Sequence, residues 1–277
     1  MTAGVTAAPI RVIAPRTRTA GLARAGTTLL AVLAIWYAVA ALLRLVHDPG
    51  ASKLPFPHEV VSAYITYSGT FIEAAWQTGS RAIIGFFAGL GLGLLFGVVI
   101  IQSRWLEAAF VPYVLASQMI PLVALVPIVR AVLRDADLVR VYITAYVSFF
   151  VVTIAVLRGL RNVSPAALEL MESLNASRWT TLRFVRLHAA LPYIFSGLRI
   201  AAPLSLIGAI LVDFLGARNG LGYLLVASLT LGSSQSANLW GALVLSMALG
   251  LVLTQLVAIA ERRMSFWQPA FRTEARA

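Results

Sequence analysis

Six long apolar stretches constrain this sequence more than any other feature. Each is about 20 residues long, the length that an α-helix needs to cross the hydrocarbon core of a bilayer. Their approximate bounds are 27–45, 81–101, 110–133, 138–157, 191–214 and 239–260. Hydrophobic residues make up 60% of the chain and charged residues 12%, whereas soluble proteins carry about 25% charged residues. The sequence therefore predicts an all-α integral membrane protein with about six transmembrane helices, and it excludes a water-soluble globule.

The positive charge indicates topology rather than nucleic-acid binding. The net charge is +11, but the arginines lie between apolar stretches and form no basic tract with interleaved aromatic residues. Fourteen basic residues fall in the two tails and in the loops on the same side, against seven in the other loops and span edges. Because loops rich in Arg and Lys stay in the cytoplasm, we expect both termini to be cytoplasmic.

The sequence predicts one membrane domain between two polar tails. We expect a basic cytoplasmic tail at 1–26, one transmembrane domain at 27–264 and a second cytoplasmic tail at 265–277. The first apolar stretch is long enough to span, so we interpret it as a retained helix rather than as a cleaved signal peptide. The chain has no cysteine, which excludes disulfides and thiolate metal sites.

A stripe of glycines marks the second span, where Gly85, Gly89, Gly93 and Gly97 recur at intervals of four. Residues four apart share one face of a helix, so this helix has a face without side chains. In lipid, such a face lets two helix backbones approach and gain dispersion contacts. The stripe predicts helix packing inside one chain. A subunit interface and a substrate-contact surface are the alternatives.

Polar and helix-breaking residues interrupt the third span. They are Tyr113, Ser117, Gln118, Pro121 and Pro127. Proline removes a backbone donor and kinks a helix, and the carbonyl groups that it frees need partners or water. We therefore expect this span to face the protein interior or a solvated path. Gln118 or Ser117 then either lines a transport route or makes a hydrogen bond between helices.

A polar but patterned segment separates the fourth and fifth spans. Ser164 followed by Pro165 is typical of a helix start, with a capping hydroxyl and a proline at the first helical position. Asn175 favours a left-handed helix end, and Ser177 can cap a second helix that runs through about Val185. We expect two short cytoplasmic helices joined by a tight turn. Such an amphipathic hairpin lies on the membrane or docks into a groove of a partner.

This segment resembles the EAA loop of bacterial binding-protein-dependent ABC importer permeases. The family pattern runs E-A-A, three residues, G, nine residues, I, one residue, L-P. In this chain its acid, glycine, isoleucine and leucine positions are occupied by Glu169, Asn175, Val185 and Leu187. The resemblance implies that 164–188 is a coupling segment that fits a cleft on an ATPase subunit. It assigns that contact to Glu169, Glu172, Asn175, Ala176, Ser177 and Arg178. Three residues depart from the pattern besides Asn175: Leu170 and Met171 replace alanines, and His188 replaces a proline.

Motifs elsewhere resemble the sulfonate, taurine and nitrate branch of the family, which also includes importers of thiamine- or riboflavin-related compounds. They include 54–57 before the second span, 219–223 after the fifth and 261–267 at the end. The resemblance implies a second copy of the chain, two ATPase subunits that hold ATP and Mg²⁺, and an extracytoplasmic solute-binding protein, in a bacterial plasma membrane. In that branch an acid precedes the Gly-Leu-Gly element, and Asp213 stands there. Asp213 either contacts the route or has a structural role, capping a loop or pairing with Arg218.

Catalytic motifs are absent from the sequence. It contains no G-x-x-x-x-G-K-[ST] phosphate cradle, no H-E-x-x-H metal motif and no G-x-S-x-G nucleophile elbow. We therefore expect no enzyme activity, no metal and no cofactor on this chain. A secondary transporter driven by an ion gradient is the alternative function; it predicts paired repeats and midplane carboxylates, which the sequence does not show. A membrane-embedded enzyme is the third class, and it lacks the clustered acids or nucleophile–base pair that it needs.

Overall fold

A computed structural model of the protein describes residues 18–46 and 54–265. Within these ranges the chain is helical and forms no strand. The helices are α1 (Arg18–Val46), α2 (Pro57–Thr66), α3 (Ser68–Ile100), α4 (Arg104–Ser117), α5 (Leu122–Leu133), α6 (Ala136–Arg161), α7 (Pro165–Ser173), α8 (Arg178–Thr181), α9 (Leu187–Phe214), α10 (Leu221–Thr230) and α11 (Ser236–Met264). A π-helical turn (Leu182–Arg186) joins α8 to α9, and a 3₁₀ turn (Gly232–Gln235) precedes α11. Most of the basic tail expected at 1–26 and nearly all of the tail expected at 265–277 lie outside the described residues.

Within residues 18–46 and 54–265, five helices are long and apolar enough to cross a membrane, and α4 with α5 makes a sixth span if this bent pair is counted as one. This confirms the all-α membrane fold. The third span expected at 110–133 is not one helix, however, because α4 and α5 meet at 97°. Pro121 is the residue that caps the start of α5 rather than a kink inside a helix. Proline disfavours a helical conformation in the residue before it, so the chain leaves the helix at this point and begins again.

The second span begins earlier than the sequence indicated. A start near 81 was expected, but α3 begins at Ser68 and runs for 33 residues. At a rise of 1.5 Å per residue it is about 50 Å long, well beyond a hydrocarbon core of about 30 Å. The additional turns form because Phe71, near the start of α3, is buried against residues of α10 and α11.

The core consists of α3, α6 and α9 packed side by side. The glycine stripe of α3 lies against α6 of the same chain: a Cβ atom added at Gly89 would lie 2.6 Å from the carbonyl oxygen of Ala145 and 2.6 Å from Cβ of Ser148. A Cβ at Gly85 would lie 2.6 Å from the carbonyl oxygen of Val141. The two backbones are therefore in direct contact, as small-residue stripes allow in lipid.

The first helix stands apart from this core. Only 6% of its apolar window is buried inside the chain, and its described contacts include a polar clasp to α2. Arg44 pairs with Glu59 at 2.6 Å and lies 4.2 Å from the centre of the Phe56 ring. The indole N–H of Trp36 donates to the carbonyl oxygen of Pro55 at 3.0 Å. This clasp holds the last turns of α1 at the same end of the bundle as α2.

Candidate functional site

The segment between α6 and α9 has the start, turn and second cap that its sequence predicts. Ser164 caps α7 and accepts a hydrogen bond from the backbone N–H of Ala167 at 3.3 Å, with Pro165 in the first helical position. Asn175 has a left-handed backbone, with φ 50°. Ser177 caps α8 by accepting from the backbone N–H of Thr180 at 3.2 Å. Short-range signals determine this geometry because every one of these contacts is local.

The second arm of the expected hairpin is not a separate helix. It was predicted to end near Val185, but α8, the π-helical turn and α9 form one continuous element of 37 residues, from Arg178 to Phe214. His188 stands where the family pattern has a proline, and it keeps the backbone N–H that a proline lacks. Its ring also makes a 3.2 Å hydrogen bond with the carbonyl oxygen of Arg183. The second arm of the hairpin therefore continues without a break into the fifth span.

The hairpin presents an uncovered surface. No residue of α7 is buried, and Leu170, Leu174 and Trp179 are 60%, 67% and 71% exposed. Charged side chains surround these apolar groups, since Glu169, Glu172 and Arg178 are exposed as well. The ion pairs among the described residues include none of the three. An apolar patch rimmed by charge on a short, stiff hairpin is typical of a docking surface for a protein partner.

The inner side of the hairpin lies against the corner between α3 and α4. A cavity of about 420 Å³ is lined by Leu168 and Arg186 from the hairpin region and by Arg104 and Glu107 from α4. Glu107 forms an ion pair with Arg161 at the end of α6. The start of α4 therefore faces the hairpin across this cavity and is tied to the end of α6.

The bent pair carries most of the residues expected to line a route. Tyr113 is 75% exposed, and Gln118 and Pro121 at the break are exposed as well. The Ser117 hydroxyl donates to the carbonyl oxygen of Val114 at 2.8 Å. The carbonyl oxygen of Ser117 accepts a hydrogen bond from the Tyr146 hydroxyl at 2.6 Å, so a side chain of α6 satisfies a carbonyl group that the break frees.

Within α5, Pro127 is exposed on the outer surface of the helix. The same helix is tied to the end of α9 by Arg130, whose guanidinium donates to the carbonyl oxygens of Val212 at 3.2 Å and Leu215 at 3.1 Å. Basic side chains commonly satisfy the last carbonyl groups of a helix in this way. The bent pair is therefore held at two points: the break is hydrogen-bonded to α6, and the last turns of α5 are hydrogen-bonded to the end of α9.

Asp213 lies inside the bundle at the end of α9. It is 1% exposed, accepts a hydrogen bond from the Thr78 hydroxyl at 2.5 Å, and forms an ion pair with Arg140 of α6. Arg140 also donates to the carbonyl oxygen of Asn219 at 2.9 Å. The pairing with Arg218 considered from the sequence is therefore wrong, because the arginine that meets Asp213 is 73 positions earlier in the chain.

Sequence reasoning missed the two partners of Asp213. Arg140 is fully buried near the start of α6 and pairs with Asp137 on the preceding turn at 2.5 Å. A signal for Arg140 was present, because a charge inside an apolar stretch calls for a partner inside the protein. Thr78 carried no such signal, since an isolated threonine fits any helix face.

Comparison with known proteins places the chain in a family. Residues 89–266 match the family described as "Binding-protein-dependent transport system inner membrane component". A probable ABC transporter permease protein of Haemophilus influenzae is 34% identical over 199 residues, which cover 70% of this chain and 78% of that protein. A riboflavin transport system permease protein of Chloroflexus aurantiacus is 27% identical over 250 residues, covering 87% of this chain and 88% of that protein.

A solved structure shares the fold. The crystal structure of an amino acid ABC transporter with histidines matches with a TM-score of 0.59 at 17% identity, over 73% of this chain and 97% of that one. The helical membrane fold agrees with these relatives. The chain belongs to the family of binding-protein-dependent inner membrane components, and it is a type I ABC importer permease.

Proposed function

We propose that two copies of this chain form the substrate route of an ATP-driven importer, and that segment 164–188 couples each copy to a separate ATPase subunit. The observation that carries the proposal is the hairpin, whose charged and apolar outer surface is uncovered and whose second arm continues into a membrane span. ATP and Mg²⁺ bind on the ATPase subunits. The hairpin then lies in the cytoplasm, as do both termini, in a bacterial plasma membrane.

The proposed mechanism uses the continuous element from Arg178 to Phe214 as a lever. At 1.5 Å per residue, its 37 residues extend about 55 Å. One end carries the docking surface, and the other carries Asp213 in its buried network. When the ATPase subunits close, the two hairpins approach each other and α9 moves with them. Because α9 packs against α6 and α3, the movement reorients the bundle between inward-open and outward-open states.

The route itself is proposed to run along the bent pair α4 and α5, between the two copies. Of the side chains expected from the sequence, Tyr113, Gln118, Pro121 and Pro127 are exposed and Ser117 is half-buried. A helix that is broken at membrane depth needs protein or water beside it rather than lipid, which favours a position against the second copy. Asp213 acts on this route indirectly, because its hydrogen bonds are all made inside the bundle and it sets the position of α9.

The proposed substrate is a small solute delivered by an extracytoplasmic binding protein. The sequence resemblance favours a small organic anion such as a sulfonate, taurine or a nitrate-like ion, or a vitamin-precursor pyrimidine. The relative named for riboflavin transport, which aligns along most of both chains, supports the vitamin-related class. The binding protein supplies most of the specificity in such systems, so the ligand that it carries identifies the substrate.

The test is purification of the tagged full chain from its native membranes in mild detergent. A stoichiometric partner with a phosphate-binding loop and a co-purified binding protein would support the proposal. Uptake of the ligand that the binding protein carries is then measured in cells that express the variant Glu169→Lys with Arg178→Glu. We expect uptake to fall to background, because the double charge reversal opposes docking.

The matched control is Arg158→Glu, an exposed charge reversal on α6 near the same end of the bundle. It should leave uptake unchanged. Uptake that survives the double reversal would remove the coupling role of the hairpin. A chain that purifies with no ATPase, and whose transport survives ATP depletion but collapses with an uncoupler, would instead establish ion-gradient transport.

A further inference from the structure

An open apolar groove runs along the outside of the bundle, with one end beside the hairpin. Its volume is about 670 Å³ and it lies between α3, α9 and α11. Aromatic and branched aliphatic side chains line it, including Phe87, Leu90, Leu191, Phe195, Leu253 and Leu256. Among the described residues that line the groove, none is acidic.

The groove has the length of one bilayer leaflet. Along α9 its lining extends from Leu187 to Ser205, which is about 27 Å of helix. One leaflet with its headgroups is roughly 20–23 Å deep. The groove therefore begins at the end of the span that adjoins the coupling hairpin and reaches the middle of the membrane.

The basic side chains that line the groove lie at its end beside the hairpin. Arg183 and His188 both line this end. The ion pairs among the described residues include none with Arg183, whose guanidinium lies 5.7 Å from the ring centre of Phe184. Met264, the last residue of α11, lines the groove next to Arg262 and Arg263 in sequence. An apolar groove with basic groups at one end matches a molecule with an apolar tail and one anionic head.

A hydrogen bond links His188 to the backbone of Arg183. Arg183 lies in the π-helical turn, and its carbonyl oxygen is hydrogen-bonded to the ring of His188 at 3.2 Å. Short π-helical turns inside α-helices are frequent at functional sites, because the extra residue displaces the side chains that follow. Here the turn lies at the depth where Arg side chains extend toward lipid headgroups.

We propose that this groove binds an anionic phospholipid, with an acyl chain between α3, α9 and α11 and its phosphate at Arg183 and His188. A helix of a second copy would fill the apolar part of the groove, but an apolar helix has no anionic group to pair with the basic side chains at one end. The choice of leaflet rests on the proposed function, which places the hairpin in the cytoplasm. The lipid then contacts the junction where the coupling segment enters the fifth span.

The test is native mass spectrometry of the full chain, purified in detergent and mixed with phosphatidylglycerol and phosphatidylcholine of the same acyl chains. We expect the wild type to retain phosphatidylglycerol about fivefold better, the effect of one basic contact. Arg183→Gln should remove this preference. Leu256→Trp, which fills the groove, should lower the retention of both lipids. Arg158→Gln removes an equal charge from an exposed site outside the groove and should change neither.

Equal retention of the two lipids by the wild type would overturn the proposal, as would an Arg183→Gln variant that keeps the preference. Equal losses in the Arg183 and Arg158 variants would also overturn it, because they indicate a general charge effect. Because the chain has no cysteine, Leu256→Cys introduces a single thiol in the groove that maleimide can label. Protection of that thiol in lipid-free dimers would mean that a second copy covers the groove, and it would overturn the proposal. None of these readouts needs the ATPase, so failure of the proposed function and failure of this inference are distinguishable.

Discussion

Arg140 of α6 and Asp213 of α9 form an ion pair that is closed to solvent, with 1% and 0% of their side chains exposed. Both partners are held further: the Thr78 hydroxyl of α3 donates to Asp213, and Arg140 reaches the Asn219 carbonyl oxygen beyond α9. The Thr78 hydroxyl oxygen also accepts from the backbone N–H of Leu221 at 2.8 Å. Three helices and the start of α10 therefore meet at one buried polar network.

Removing one charge of this network should destabilise the folded protein. Because Asp213→Asn removes the buried counter-charge of Arg140 and leaves only the partly exposed Asp137, we expect a loss of about 3–5 kcal/mol in stability. Thermal unfolding in detergent measures it. Asp137→Asn is the comparison, because Asp137 pairs with the same Arg140 but 43% of its side chain is accessible, and we expect it to lose less stability.

The double variant Arg140→Met with Asp213→Leu separates the charge pair from its packing. Replacement of a buried ion pair by apolar side chains of similar volume is often neutral or stabilising. We expect the double variant to recover most of the stability that Asp213→Asn loses, while uptake stays reduced because the Asn219 contact is lost. A double variant that is as unstable as the single one would mean that the hydrogen bonds to Thr78 and Asn219, not the charges, hold the network together.

The contact between α3 and α6 predicts opposite effects at two neighbouring glycines. A Cβ at Gly89 would lie 2.6 Å from the Ala145 carbonyl oxygen, whereas a Cβ at Gly91 meets nothing within 4 Å. Gly89→Ala should destabilise by about 1–3 kcal/mol, the usual cost of overpacking. Gly91→Ala should be neutral or stabilise by up to about 1 kcal/mol, since alanine favours a helix. Thermal unfolding of the pair in one detergent provides the measurement, and equal effects would contradict the close packing.

The turn of the coupling hairpin predicts a preference for glycine. Asn175 has φ 50°, a left-handed conformation that costs most residues about 1–2 kcal/mol and costs glycine nothing. Asn175→Gly should keep or raise transport, whereas Asn175→Val should open the turn and reduce both ATPase co-purification and uptake. If valine is tolerated as well as glycine, the turn geometry does not determine docking.

The clasp between α1 and α2 predicts a stability change in acid. Burial raises the pKa of Glu59, but the backbone N–H of Phe56 and the guanidinium of Arg44 lower it more, so the pKa lies below its ordinary value. A carboxyl group with a lowered pKa in the folded state stabilises that state above its unfolded pKa. This stabilisation is lost as the pH falls through the folded value, below about pH 4.3.

Unfolding temperatures between pH 6 and pH 3.5 test this sign. The wild type should lose stability over that range, and Glu59→Gln should remove the part of the loss that the clasp causes. Glu73→Gln changes an exposed acid of α3 and serves as the control. If the unfolding temperature of Glu59→Gln falls with pH just as that of the wild type does, the pair with Arg44 contributes nothing measurable to stability.

The predictable parts of the site are those that depend on near neighbours in the chain. The caps at Ser164 and Ser177 and the left-handed Asn175 followed from residue type alone. The continuity of α8 with α9 did not follow, because it depends on how Leu182 packs in the core, and a cap residue signals where a helix begins but not where it ends. The break before Pro121 was read as a kink inside one helix, since proline is compatible with both.

By itself the sequence determined that most of the chain lies in lipid, that it is helical, and where the polar hairpin between the fourth and fifth predicted spans begins and turns. Apolar length, charge and capping residues act over one or two helical turns, so they can be recognised locally. The tertiary structure decided which residues meet across the bundle: Arg140 with Asp213, Tyr146 with the Ser117 carbonyl group, and the glycine face of α3 with α6. These contacts join residues far apart in the chain. Their partners are selected by helix rotation and close packing, and no local pattern in a single sequence encodes either quantity.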